Sequence, residues 1–414
     1  MLMGDDKLAS FVLPAAAVAR DDLVGWQEWC RTRLAFVPAP SLDRAAWRRL
    51  SPRERMIHDL HRTATHANLP LLQTPMSRLV EKVLISRIET NALKFKPTTR
   101  AGVMVTGGGY QGKTECVCEI AAAFEERWLA LHNYLNPTAR PGFRDLHAPV
   151  AYVQTPVTAK PKSTCKAILN FYDAPLNPRM DLPDLIHQVA VSLRDHGTKV
   201  LILDDITRLR MHRVDDQDTL DLIRAFMSMN VTLVLIGVDI PRSGLLREGR
   251  YDLTSGQWHL PSKRLKVNGL EPTQTERRFD LVELDRFHYD NDVQIASWIR
   301  HLQGIEDSLR LLDARPGMLT EDSTMPEYLF HRTDGVVGLL ERLIEDGCRE
   351  AMESGRECLT EDLLDDITIE LTDTPQRDPE AGEIPDVPAP QRPPRAGRPR
   401  NTVFDDRGPA ESLG

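Results

Sequence analysis

Residues 102–115, GVMVTGGGYQGKTE, constrain this chain more than any other stretch of it. Gly107, four further residues and then Gly112-Lys113-Thr114 match the spacing GxxxxGK[ST]. Each residue type has a task in holding a phosphate. Glycines let the backbone curl so that successive N–H groups point inward. Lys113 brings positive charge to the β and γ phosphates, Thr114 offers a hydroxyl to Mg²⁺, and the start of the next helix adds its own positive potential. A Gly-rich turn could share this composition, but here an apolar strand leads into the loop and a helix leads out. The nucleotide-binding set read from the stretch is Gly107, Gly108, Gly109, Tyr110, Gln111, Gly112, Lys113, Thr114 and Glu115, with ATP and Mg²⁺ as the implied ligands.

A phosphate loop alone hydrolyses nothing, because the metal and the attacking water also need placing. The segment KVLILDD, residues 199–205, supplies an apolar strand ending in two acids. Asp204, with Thr114, is the metal-site residue, and Asp205 stands where a general base would polarise water. One strand, PVAYVQT at 149–155, separates the two motifs in sequence. That suits ATPases in which another strand lies between the two catalytic strands, rather than nucleotide kinases, where the two lie side by side. Asp205 is one methylene shorter than a glutamate, so slow, switch-like hydrolysis is expected.

Alternating apolar strands and helices from residue 100 predict an α/β fold, a parallel sheet covered on both faces. Strands are expected at GVMVTG, PVAYVQT, KVLILDD, VTLVLIGV (231–238) and FDLVEL (279–284), and helices over Lys113 to about Leu131, Leu182 to Asp195 and 216–229. Ahead of the sheet, SPRE at 51–54 and TPMS at 74–77 are helix starts, the second running to about Leu93. Beyond it, helical spacing recurs at 290–303, 325–333, 336–354 and 360–371. The expected division is a helical N-terminal extension (1–75), an αβα nucleotide-binding core (76–285), a helical lid (286–372) and a disordered tail rich in proline and arginine (373–414).

With 414 residues there is chain enough for several domains. A net charge of −9 argues against coating nucleic acid by overall charge, so a local basic strip is what must be sought. The stretch TPVTAKPKSTCK, read as a loop, carries Lys160, Lys162 and Lys166 with no acid among them, the candidate contact to duplex DNA without sequence reading. Lys263, Arg264 and Lys266 form a second cluster, and Gly397-Arg398-Pro399-Arg400 partly matches a minor-groove arm. No apolar run reaches membrane-spanning length, and the N-terminus has no basic leader, so no membrane partner and a cytoplasmic location are expected. The six cysteines make no CxxC pair and are read as reduced thiols, with Cys116 and Cys118 packed in the core. His58, His61 and His66 share one helix and are read as surface residues.

The ordered set VTGGGYQGKTE, VAYVQTPVTAKPKSTCKAIL, VLILDDITRLRMHRVDDQDTLDLIRAFMSMNVTLVLIGVD, RRFDLVELDRF and TDGVVGLLERLIEDGCREAMESGRECLTEDLL spans about residues 75–372. It resembles the AAA+ ATPases that accompany DDE transposases, the TniB/TnsC type, regulators similar in role to MuB. The resemblance implies a P-loop AAA+ fold with a helical lid, nucleotide held between subunits of a homo-oligomeric ring or filament, binding to duplex DNA in the ATP state, and contact with a transposase. It carries Arg277 and Arg278 onto the arginine-finger position, joining Lys113 and Asp205 as catalytic candidates, and turns the lysine stretch toward a central channel. The chain departs from the pattern after the fourth strand, where GVD leaves only Asp239 at the sensor position. In DGVVGLL the usual arginine is missing, and Arg342 lies further along. Two alternatives stand beside this reading: a nucleotide-switched signalling or defence ATPase of STAND-like kind acting without DNA, and a helicase-loader type.

Overall fold

The computed structural model describes residues 11–14, 17–136, 147–157, 160–208, 217–243, 250–252, 257–259, 275–321 and 324–369. Five parallel strands form the central sheet: β1 (Gly102–Thr106), β2 (Val150–Gln154), β3 (Val200–Asp204), β4 (Thr232–Ile236) and β7 (Phe279–Glu283), in the order β2-β3-β4-β1-β7. A separate antiparallel ribbon pairs β5 (Arg250–Asp252) with β6 (Gln257–His259). Strands β1, β3 and β4 are buried along their whole length, as continuous apolar runs under two helical layers must be. Strand β4 separates β1 from β3, the arrangement that the order of the motifs anticipated.

Helices α1 (Leu23–Thr32), α2 (Arg44–Arg49), α3 (Pro52–His66) and α4 (Pro75–Ala92) precede the sheet. Both expected helix starts are present. Ser51 and Glu54 make a reciprocal capping box, and Thr74 does the same with Ser77, each ahead of a proline in the first turn. Within the sheet region, α5 (Lys113–Leu135) packs against α4 and β2. A second group of mutually packed helices comprises α6 (Pro161–Phe171), α7 (Leu182–Asp195) and α8 (Gln217–Met227). A short α9 (Ile240–Ser243) follows β4. The chain then adds α10 (Asp292–Ser308), α11 (Met325–Thr333), α12 (Val337–Glu353) and α13 (Glu361–Asp365), with α12 packed on α3, α11 and α13.

Three expectations change. The lysine stretch is not all loop: Lys160 is the N-cap of α6, while Lys162 and Lys166 lie on its first two turns. Pro161 at the first helical position and the Ser163 hydroxyl, which accepts from the Lys160 N–H at 2.8 Å, start the helix there. The three histidines of α3 are buried, not exposed, because that helix is covered by the preceding segment and the C-terminal helices. The Nε2 atoms of His58 and His61 lie 3.0 and 2.7 Å from the carbonyls of Pro40 and Val37, and that of His66 accepts from the Arg310 N–H. Among the described residues, no three metal-ligating side chains gather. The last helix stops at Asp365 instead of continuing to 371. Lys263, Arg264, Lys266 and the 397–400 arm lie outside the described residues.

Cys116 and Cys118 are core residues, and burial pushes the Cys116 thiol up to about 12 and Cys118 upward as well. No helix among the described residues is long and apolar enough to cross a membrane.

Candidate nucleotide site

The loop between β1 and α5 is shaped by backbone that only certain residues adopt. Gly107 has φ 152°, and a Cβ there would sit 2.2 Å from the Leu284 carbonyl, so the close approach of the β7 end excludes any side chain. Gly112 is left-handed, φ 71°, and opens α5 without a side-chain cap. Its missing Cβ faces open space, with nothing within 4 Å. The first N–H groups of α5 thus stand uncapped behind a cradle lined by backbone, which suits a polyphosphate by charge and by shape.

Lys113 is nearly buried and donates to the Gly108 carbonyl within the loop. Burial lowers its pKa, and Asp204 and Asp205 offset part of that shift. An ammonium held this way lacks a directly bonded carboxylate, and a phosphate would supply the missing anion. Thr114 Oγ1 donates to Asp204 Oδ2 at 2.8 Å, which joins the loop to the end of β3 across the intervening β4. Asp204 is buried, whereas Asp205 turns outward in left-handed backbone, φ 52°. The Asp205 carboxylate is not free: Arg208 reaches its Oδ2 at 2.7 Å and Gln154 Nε2 donates to the same oxygen at 3.4 Å.

The remaining candidates divide. Gly108 and Gly109 complete the curl of the loop, Tyr110 is exposed, and Gln111 folds its amide back over Gly107 and Gly108. Glu115 points away from the cradle toward Arg20, with hydrogen bonds of 2.7 and 3.0 Å. Arg277 and Arg278 are exposed in a 3-10 turn just before β7. Gly102 pairs with Phe279 and Thr106 with Glu283, so these arginines sit at the opposite end of β1 from the loop and cannot serve their own chain's site. Asp239 is exposed, with φ 47°. The hydroxyl of Thr106 accepts from the Ile240 N–H at 3.0 Å and anchors α9 beside it. Arg342 faces Asp346 along α12 at 3.9 Å and lines no part of the site.

Beside the loop lies a cavity of about 460 Å³, lined by Leu71, Leu72 and Met76 ahead of and within α4, by Ile120 of α5, by Leu284, and by Val337 and Gly338 of α12. It opens on Tyr110–Gly112, and its volume falls in the range of small-ligand sites. Glu341 projects into the same space; burial first, then Glu115 and Glu345, raise its pKa. Of these walls, sequence reading reached only Val337 and Gly338, within DGVVGLL; for the rest the one hint was the apolar LPLLQTPM run leading directly into a capping box. The α12 backbone closes on the loop itself, where the Gly338 N–H donates to the Tyr110 carbonyl at 2.9 Å.

Residues 98–242 match the protein-family model described as an AAA domain. With the strand order and phosphate loop described above, the fold is that of a P-loop AAA+ ATPase domain. No curated protein matches the sequence. Among solved structures, the ADP form of the ORC2 protein of Aeropyrum pernix aligns at 14% identity over 72% of this chain and 68% of its own, with a TM-score of 0.47. The ORC1 protein of the same organism, in complex with DNA, aligns at 12% identity over 73% and 67%, with a TM-score of 0.47. AMPPCP-bound DnaA of Aquifex aeolicus aligns at 14% identity over 70% and 68%, with a TM-score of 0.35. At such identities and scores, nothing about those proteins' work transfers to this chain.

Proposed function

We propose that this protein is an ATP-switched, DNA-binding regulator of transposition of the TniB/TnsC type, which assembles on duplex DNA and engages a DDE transposase. The nucleotide part rests on the Thr114–Asp204 contact, which joins phosphate loop and acidic strand in one site. Lys113 and the N–H groups at the start of α5 would hold the β and γ phosphates, and the apolar cavity would take the base. Thr114 and Asp204 are the residues that would hold Mg²⁺. When bound, that ion neutralises charge shared by the β and γ oxygens. Asp205 would orient the attacking water, and its pairing with Arg208 favours slow turnover.

The observation that carries the DNA reading is the run of Lys160, Lys162 and Lys166 with no acid between them. Lys160 and Lys162 are exposed, at the start of a helix that follows the β2 edge strand. Such a row contacts phosphates without reading bases. Arg277 and Arg278, remote from their own loop, would act on a neighbouring subunit's nucleotide in a ring or filament. The expected units remain an extension (1–75), a core (76–285) and a lid (286–372), with the 373–414 tail outside them.

The test is duplex-DNA binding by the full chain with an ATP analogue, with ADP or with no nucleotide, across a salt series. Binding confined to the ATP analogue, lost in Lys113→Ala and weakened in the Lys160/Lys162/Lys166→Ala triple variant, is expected. Removal of three phosphate contacts should flatten the log–log salt slope by about 3. Normal nucleotide binding with no DNA binding would sink the transposition reading and leave a nucleotide switch acting without DNA.

A further inference from the structure

Tyr152 occupies the middle of the edge strand β2, in register with Ile202 of β3. Its ring is buried at 6% exposure, and its hydroxyl donates to Asp204 Oδ2 at 2.8 Å, the oxygen that also accepts from Thr114. The Asp205 N–H takes the other oxygen, Oδ1, at 2.8 Å. With donors on both oxygens, the Asp204 carboxylate is held in one rotation. Packing alone does not require the Tyr152 hydroxyl, since phenylalanine would fill the same space in the strand.

The outer side of that ring is covered from the N-terminal extension. The Arg20 guanidinium lies 5.5 Å from the Tyr152 ring centre and 4.9 Å from that of Trp29. Trp26 stacks on Tyr152 at 6.2 Å with an interplanar angle of 14°. Arg20 also grips Glu115, the residue after Thr114, through two hydrogen bonds. One arginine thus ties the phosphate-loop helix to the residue that orients Asp204, from a segment some eighty residues upstream of β1. None of the motif's known tasks uses either Arg20 or Tyr152.

We infer that Tyr152 is a positioning residue for Asp204 and that Arg20 clamps it, so that the N-terminal extension sets how tightly the nucleotide site takes Mg²⁺. The inference rests on the nucleotide reading above. Tyr152 does not line the cavity and its hydroxyl bonds Asp204, so that hydroxyl should matter to the metal rather than to the nucleotide alone.

The experiment titrates a fluorescent non-hydrolysable ATP analogue onto the full-length protein, first in EDTA and then across a Mg²⁺ series, with thermal melts alongside. In Tyr152→Phe, the metal-free affinity and the melting temperature should stay near wild type, while half-saturating Mg²⁺ rises about tenfold. Arg20→Ala should shift it the same way by less. Wild-type Mg²⁺ dependence in Tyr152→Phe would overturn the inference. So would a loss shared equally by metal-free affinity and melting temperature, which would make the ring mere packing. Wild-type protein that binds no analogue at all would remove the nucleotide reading first. Wild type that tightens with Mg²⁺ beside an unaltered Tyr152→Phe would remove this inference alone.

Discussion

Two clusters of buried polar side chains hold this molecule together at different places, and they use burial in opposite ways. Where α3 meets the C-terminal helices, Arg62 binds Glu357 through two hydrogen bonds of 2.6 and 3.1 Å, Asp59 at 2.6 Å and the Arg310 carbonyl at 3.2 Å. Glu357 also accepts from the Leu312 N–H at 3.1 Å. Arg62 there has carboxylate partners directly bonded to it, and both Glu357 oxygens are used. At the phosphate loop, Lys113 is also buried but is bonded only to a carbonyl, the first N–H groups of α5 are uncapped, and a cavity opens alongside. Burial of polar groups therefore does not mark function by itself. A polar cluster left short of a counter-charge, with room beside it, does.

The contrast can be broken most directly at Glu357. Glu357→Ala leaves Arg62 buried without its main partner and should cost about 3–5 kcal/mol in urea unfolding, with ATP-analogue affinity of the folded protein unchanged. The double variant Arg62→Met/Glu357→Leu should recover most of that loss, because two apolar side chains replace a matched pair. The counterpart at the other cluster is Lys113→Met. Nucleotide affinity should fall about 100-fold, while the melting temperature holds or rises, since an ammonium lacking a bonded anion leaves the interior. A melting temperature that dropped as far as that of Glu357→Ala would show Lys113 to be structural, and the two clusters would no longer differ.

Acid should separate them as well. His66, beside Arg62, and His301 on α10 both lie at about 4, below the ordinary 6.5; burial is the main cause, joined for His66 by Arg62 and Arg310. The unfolded chain takes up those protons first. The contribution from keeping these rings neutral is therefore complete above pH 6.5 and drains as pH falls toward 4. Glu125, between α1 and β2, is raised by burial to about 7 and works the other way, losing ground as pH rises from 4.5 to 7. The net loss from pH 7 to pH 5 should be on the order of 1 kcal/mol. Glu125→Gln should steepen it, and an unchanged slope in that variant would refute the assignment. The smallest effect expected is at Arg208: its pair with Asp205 is half-exposed, so Arg208→Ala should raise ATP turnover by about two- to fivefold. A fall in turnover would make Arg208 part of the chemistry rather than a restraint on it.

What the sequence made legible follows from distance along the chain. The phosphate loop lies within eight consecutive residues, and the acidic strand end is a local pattern too. Their meeting could be anticipated from strand order alone. Strands β1, β3 and β4 were visible because a strand buried on both faces is an unbroken apolar run, whereas β7, at the sheet edge, is only partly buried and interrupted by Asp280. The cavity was not visible: Leu71, Leu72 and Val337 look the same in a sequence whether they fill a core or wall a pocket. The α3 histidines were misread because the buried face of that helix is polar: His58 and His61 meet carbonyls of an irregular segment just upstream, and His66 meets Arg310, more than 240 residues away. No local spacing could report that they would be covered. Tyr152 escaped notice for a related reason, since a tyrosine in a strand is ordinary until its hydroxyl is seen to end on Asp204.

The hydrogen bond from the Gly338 N–H to the Tyr110 carbonyl has a mechanical reading. The peptide that curls around a phosphate is also the point from which α12 hangs, and α12 packs on α3, α11 and α13. Turning that peptide would break the bond, at a cost of about 1 kcal/mol, unless α12 turned with it. A change in the curl of the loop therefore either breaks this bond or carries the start of α12 with it.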